Sequence, residues 1–122
     1  MEFDNSRPIF LQIADEFKQM IASGKVKPGS KVSSVRELSS EMSVNPNTVQ
    51  KSLSFLEQQG LMYTERTSGR YITSDENVIM SLKEELLNGY VNQFISAISA
   101  LGCDKAGALK LITDFLKDKE EN

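Results

Sequence analysis

The sequence predicts a mainly α-helical protein with one small β-hairpin, organised as an N-terminal unit over residues 1–74 and a helical tail over 75–122. Three observations predict it. Apolar residues recur at helical spacing through five separate stretches. Two helix-start signatures, Ser34-Val35-Arg36-Glu37 and Asn45-Pro46, follow one another closely. Two short runs rich in β-branched and aromatic residues flank a polar tip, ERTSG, at 65–69.

The first helix begins at Pro8, a residue suited to a helix start because its missing N–H would have no partner there. Ile9, Ile13, Phe17, Met20 and Ile21 give it one apolar face, and Gly24 ends it. KVKPGSKV, residues 25–32, reads as an extended piece broken by a Pro-Gly turn. Ser34 with Glu37 has the form of a capping box, and Val35, Leu38 and Met42 mark about two turns of a second helix. After the break at Ser43-Val44, Asn45 supplies a cap and Pro46 a first helical position. Val49, Leu53 and Leu56 form the buried stripe of this third helix, and Gly60 closes it. Leu61–Thr64 and Arg70–Thr73 are the expected strands.

Ser74 or Asp75 then caps a long helix in which Ile79, Leu82, Leu86, Tyr90, Phe94, Ile98 and Leu101 step by three or four. Leu87, Val91 and Ile95 widen the stripe, and Gly102 ends it. Asp104 caps a last helix with Ala108, Leu111, Ile112, Phe115 and Leu116 expected inward and the tail KDKEEN solvated and frayed. One short partner helix cannot cover so long a stripe. Pairing with a second copy through Leu82, Leu86, Tyr90, Val91, Phe94 and Ile98 is the expected burial. Gly89 in mid-helix costs about 1 kcal/mol against alanine; it permits close helix approach or a bend, or is incidental.

Helix, helix, helix, hairpin is the plan of a winged helix-turn-helix. The charge distribution allows that use. Net charge is −3 over 122 residues, but residues 1–74 hold nine Lys/Arg against eight Asp/Glu, and 75–122 hold five against nine. Lys25, Lys27, Lys31 and Arg36 lie in a stretch without an acid. The chain has no histidine and a single cysteine, Cys103, expected as a small apolar residue in a helix-to-helix turn. No metal site, no cofactor and no disulfide is therefore expected. No phosphate-cradling G-x-x-x-x-G-K-[ST] is present, so an enzyme is not expected. The polar start of the chain and the absence of a long apolar run predict a cytoplasmic protein with no membrane partner.

At 100° per residue, turning Val49, Leu53 and Leu56 inward points Asn47, Lys51, Ser54 and Gln58 outward, with Thr48 and Gln50 flanking that ridge. Amide side chains can pair with adenine in the major groove, and Thr48 with the helix N-terminus suits a phosphate oxygen. A plain cap followed by a solvated face reads equally well. Arg36 in the first turn of the second helix opposes the helix dipole, which favours a use for it over a solvent arginine paired with a nearby acid. Arg66 and Arg70 bracket the hairpin tip with Ser68 and Gly69, a wing that can lie along a DNA backbone or in a minor groove.

The pieces PGSKVSSVRELS, VNPNTVQKSL and LEQQGL, in that order and spacing, closely resemble the DNA-binding domain of GntR-family bacterial transcription regulators over residues 7–73. The short two-helix tail resembles the YtrA-type subgroup, whose C-terminal part is a small dimerisation element. The resemblance implies DNA contacts for Arg36 from the second helix and for Asn45, Asn47, Thr48, Gln50 and Lys51 from the recognition helix. Gly69 falls on the second wing glycine, while Thr67 replaces the first and Ser33 stands where proline is usual. Phe55 lies off the buried stripe and is expected under the wing or against the tail.

The function expected is a sequence-specific DNA-binding regulator, a repressor acting as a homodimer on a palindromic operator. The alternative is a winged helix used as a protein-interaction module. Its partners would be double-stranded DNA, a second copy of itself and an unknown small-molecule effector, for which no residue can be nominated.

Overall fold

The computed structural model describes residues 2–121. The element order is α1 (Ile9–Ala22), α2 (Val35–Met42), α3 (Pro46–Gln58), β1 (Met62–Glu65), β2 (Gly69–Ile72), α4 (Glu76–Ser99) and α5 (Lys105–Glu121). Two compact units divide the chain, Met1–Lys83 and Glu84–Asn122, so α4 starts in the first and continues into the second.

In the first unit α1 and α2 both pack on α3, and α3 packs on β1. Ile13, Phe17 and Ile21 of α1 meet Val49, Leu53 and Leu56 of α3 in a core that Leu38, Leu61, Met62 and Ile72 complete. Full burial of one such aliphatic side chain is worth about 1.5–3 kcal/mol, so this stripe, more than local propensity, holds the helices in place. The α1 pattern reads almost as expected, with two differences. Pro8 is the residue before the helix, its carbonyl accepting from Leu11 and Gln12, and Ile9 is exposed.

The turn between α2 and α3 depends on Ser43, the non-glycine residue with positive φ (55°) among the described residues. A left-handed backbone costs an ordinary residue about 1–2 kcal/mol. Here the Val44 N–H donates to the Ser39 carbonyl at 3.1 Å, and the Ser39 hydroxyl donates to the Val44 carbonyl, which fixes the bend.

The hairpin pairs Met62 with Ile72, Tyr63 with Tyr71, Thr64 with Arg70 and Glu65 with Gly69, so each strand lies one residue from its sequence-expected bounds. It is wider than two strands. The Val32 N–H donates to the Arg70 carbonyl at 2.9 Å, and the Ile72 N–H donates to the Ser30 carbonyl at 2.9 Å. Residues 30–32 thus lie along the free edge of β2 as a third short rung, with Lys31 opposite Tyr71. A two-stranded ribbon alone is marginal in water, and this edge contact supplies what it lacks.

In the second unit, Asp104 caps α5 by accepting from the Gly107 N–H at 2.8 Å, and Cys103 sits half-buried in the turn before it. Ala108 is buried at 3% exposure, but the rest of the expected inner face of α5 is not. Leu111, Ile112, Phe115 and Leu116 are 51%, 40%, 60% and 56% exposed, because helical spacing shows that a face is apolar but not that the same chain covers it. The helix continues to Glu121 through most of the stretch expected to fray; Asn122 lies outside the described residues. Along α4, Leu86, Phe94, Ile95 and Ile98 are half-buried and Leu87, Tyr90 and Val91 exposed. Leu82, expected on the pairing face, is already buried in the single chain at 5% exposure. No helix among the described residues is long and apolar enough to cross a membrane.

Candidate nucleic-acid interface

The candidate residues lie at the starts of α2 and α3 and on the wing, and the start of α2 borders the wing. Each start is built by its cap. At α2 the Ser34 Oγ accepts from the Glu37 N–H at 3.1 Å, and Glu37 Oε1 accepts from the Ser34 N–H at 3.3 Å, a complete capping box. Arg36, in the same turn, is exposed. At α3 the Asn45 Oδ1 accepts from the Asn47 N–H at 2.8 Å, with Pro46 just inside. The Asn45 side chain therefore performs the cap, and the outward amide of this turn is Asn47, which is exposed.

Farther along α3, Gln50 and Lys51 are exposed, and Thr48 and Ser54 are half-buried. Gln50 Nε2 donates to Ser54 Oγ at 3.1 Å, an exposed i,i+4 contact that a better partner can replace. Lys51 has company that the sequence reading did not find. Its Nζ stands 4.3 Å from the centroid of the Phe10 ring, Phe10 meets Phe55 edge-on at 6.0 Å, and Lys18 lies 5.4 Å over Phe55. Phe55 therefore packs against Phe10 and Lys18 of α1, contacts the spacing of the sequence did not suggest. The cation–aromatic contact holds the Lys51 stem along α1 and directs its charge.

An open groove of about 560 Å³ runs between the start of α2 and the wing, bordered by Lys31, Ser33, Ser34, Glu37, Ser68 and Arg70. Lys31 did not figure among the sequence candidates. The rung at 30–32 brings it beside Gly69, whose φ of 120° is one that side chains rarely adopt and whose missing Cβ would lie 3.2 Å from the Lys31 Cε. Arg66 and Ser68 are exposed at the tip, and the Tyr71 hydroxyl donates to Ser68 Oγ at 3.0 Å.

Arg70 departs from its sequence-stated position at the tip. Its Nε and Nη2 donate to Glu57 Oε2 at 3.4 and 3.3 Å, and its side chain is only 17% exposed. The Glu57 carboxyl is held below its ordinary range first by hydrogen bonding from Thr64 and then by Arg70, against the opposing effect of burial. Sequence spacing gave no sign of this pair, which joins a helix end to a strand thirteen residues on. Among the described residues no group of three His, Cys, Asp or Glu is placed to hold a metal ion.

Residues 10–72 match the family described as bacterial regulatory proteins, gntR family. The HTH-type transcriptional regulator YhcF of Bacillus subtilis is 34% identical over 114 residues, covering 93% of this chain and 94% of that protein. The HTH-type transcriptional repressor YtrA of Bacillus subtilis is 39% identical over 88 residues, covering 67% of this chain and 68% of that protein. A GntR family transcriptional regulator from Listeria monocytogenes superposes with a TM-score of 0.84 at 35% identity, covering 92% of this chain and 98% of that one. The DNA-binding domain of AraR, solved in complex with operator ORR3, superposes with a TM-score of 0.53 at 26% identity, covering 60% and 88%.

Proposed function

This chain belongs to the gntR family of bacterial regulatory proteins and is a DNA-binding transcription regulator, and from that premise we propose that it acts as a homodimeric repressor on a palindromic operator. Its expected compartment is the cytoplasm. The observation that carries the reading is the exposed ridge of α3 beside an exposed wing tip. Asn47, Gln50 and Lys51 face outward there without an acid among them.

In this reading α3 enters the major groove, where Asn47 and Gln50 read base edges and Lys51 meets a phosphate. Asn45 contributes by capping the helix start, and Thr48 and the free N–H groups there favour a phosphate oxygen. Arg36 holds the backbone from α2, while Arg66, Ser68 and Gly69 follow it from the wing. The second copy is supported by the exposed apolar side chains of the second unit, Leu87, Tyr90, Val91, Leu111, Ile112, Phe115 and Leu116. A two-fold pair presents two recognition helices about one helical turn of DNA, or a multiple, apart, and this requires an inverted repeat. The YtrA relative is named a repressor, and occupation of an operator suffices for repression.

Selection of bound sequences from a random duplex pool tests all of this at once. An inverted-repeat consensus is expected, bound with affinity that falls steeply as salt rises and is abolished by Lys51→Glu. A consensus without two-fold symmetry would overturn the homodimer reading. Tight operator binding retained by Lys51→Glu would overturn the assignment of α3.

A further inference from the structure

We infer that Glu57 is a positioning residue for DNA binding, which ties the second strand of the wing to the last turn of α3 and so sets the angle at which Arg66 and Ser68 meet the duplex. The inference deepens the reading of α3 and the wing given above and rests on it.

The strand pairing shows why such a tie is needed. Side chains alternate across a hairpin, so Met62 and Ile72 share one face with Thr64 and Arg70, while Tyr63 and Tyr71 stack at 5.7 Å on the other. The apolar part of the inner face ends at Met62 and Ile72, which are 2% exposed. Toward the tip the next pair is polar, and the hydrophobic core has no further hold on the wing. Glu57 takes over at that rung, where its carboxylate accepts from Arg70 Nε and Nη2 on β2 at 3.4 and 3.3 Å. One carboxylate thus anchors β2 where packing stops, and β1 follows through its pairing of Thr64 with Arg70.

The position of Glu57 on its own helix supports the same conclusion. It lies in the last turn of α3, where the helix dipole disfavours an anion. The wing contacts offset that placement. A single ion pair near the surface contributes little to global stability. Its consequence lies in geometry, because a small rotation at this rung is magnified at the tip.

The test is a double-mutant cycle on the full chain with the selected operator, read by fluorescence anisotropy, with thermal unfolding of each variant alongside. In the wild-type background Arg66→Ala should weaken binding about five- to tenfold, the loss of one phosphate contact. Glu57→Ala should weaken binding to a similar extent while shifting the unfolding midpoint little. Adding Arg66→Ala to Glu57→Ala should then cost almost nothing, because the wing is already misplaced. Glu57→Gln, which still accepts from Arg70, should recover most of the affinity. Independent, multiplying losses from Glu57→Ala and Arg66→Ala would overturn the inference, as would wild-type affinity in Glu57→Ala. If Arg66→Ala is harmless in the wild type, the wing is no DNA contact. That result overturns the underlying reading separately, and the tie falls with it.

Discussion

Truncating Phe115 to alanine is the sharpest test of whether the second unit pairs with a copy of itself. Phe115 is 60% exposed in the single chain, near the centre of an apolar face that includes Leu111, Ile112 and Leu116. Covering a phenylalanine completely is worth about 1.5–3 kcal/mol, so covering what remains of this one is worth about 1–2 kcal/mol. A two-fold interface carries the residue twice, which raises the loss on truncation to about 2–4 kcal/mol and the dimer dissociation constant about 30- to 900-fold. The folded protomer should barely notice, since most of the ring is already exposed within it, with the Lys119 Nζ 5.8 Å from its centroid. Sedimentation equilibrium over a concentration series gives the constant directly, and circular dichroism checks that the helices persist. A dimer constant within twofold of wild type would refute the argument, because no apolar interface could include this face and be indifferent to its largest member.

Three further outcomes follow from particular contacts. Ser52 is fully buried and its Oγ has no hydrogen-bond partner among the described residues, so Ser52→Ala should stabilise the chain by about 1 kcal/mol in urea unfolding, and a loss of stability would show that the hydroxyl is satisfied after all. A Cβ at Gly89 would meet no atom of the described residues within 4 Å, so Gly89→Ala should raise helix stability by about 1 kcal/mol; if it weakens the dimer instead, α4 is approached closely there by the second copy. Because the Glu57 carboxyl is depressed in the folded state, the unfolded chain binds the extra proton as pH falls, and the contribution of Glu57 is full above its ordinary value and lost below it. The stability difference between wild type and Glu57→Gln should therefore shrink on acidification from about pH 6 to about pH 3, and a constant difference would deny Glu57 its ionised partners.

Local chemistry was legible in the sequence and long-range chemistry was not. Ser34 with Glu37, Asn45 with Pro46, and the glycines at helix ends act within a turn or two, so spacing alone announces them. The stripe of Val49, Leu53 and Leu56 was equally plain, since one period organises it. The contacts that shape the candidate interface join residues far apart in the chain and carry no period. Phe10 on Phe55, Lys51 on Phe10, and Glu57 with Arg70 are of this kind. Arg70 looks like a tip cation in the sequence, because only hairpin alternation with the right register shows the face it shares with Met62 and Ile72. The α5 residues look inward in the sequence because an apolar face looks the same whether its own chain or another covers it.

The rung at Ser30–Val32 has a practical consequence for protein engineering. The wing is a joint product of two stretches of chain, one on either side of α2 and α3 in sequence. A cassette holding only residues 61–73, moved to another helix-turn-helix scaffold, would arrive without the backbone partners of Arg70 and Ile72. Such a transplant should succeed only when a Ser30-Lys31-Val32 equivalent travels with it, and swaps of operator preference between relatives should respect that joint boundary.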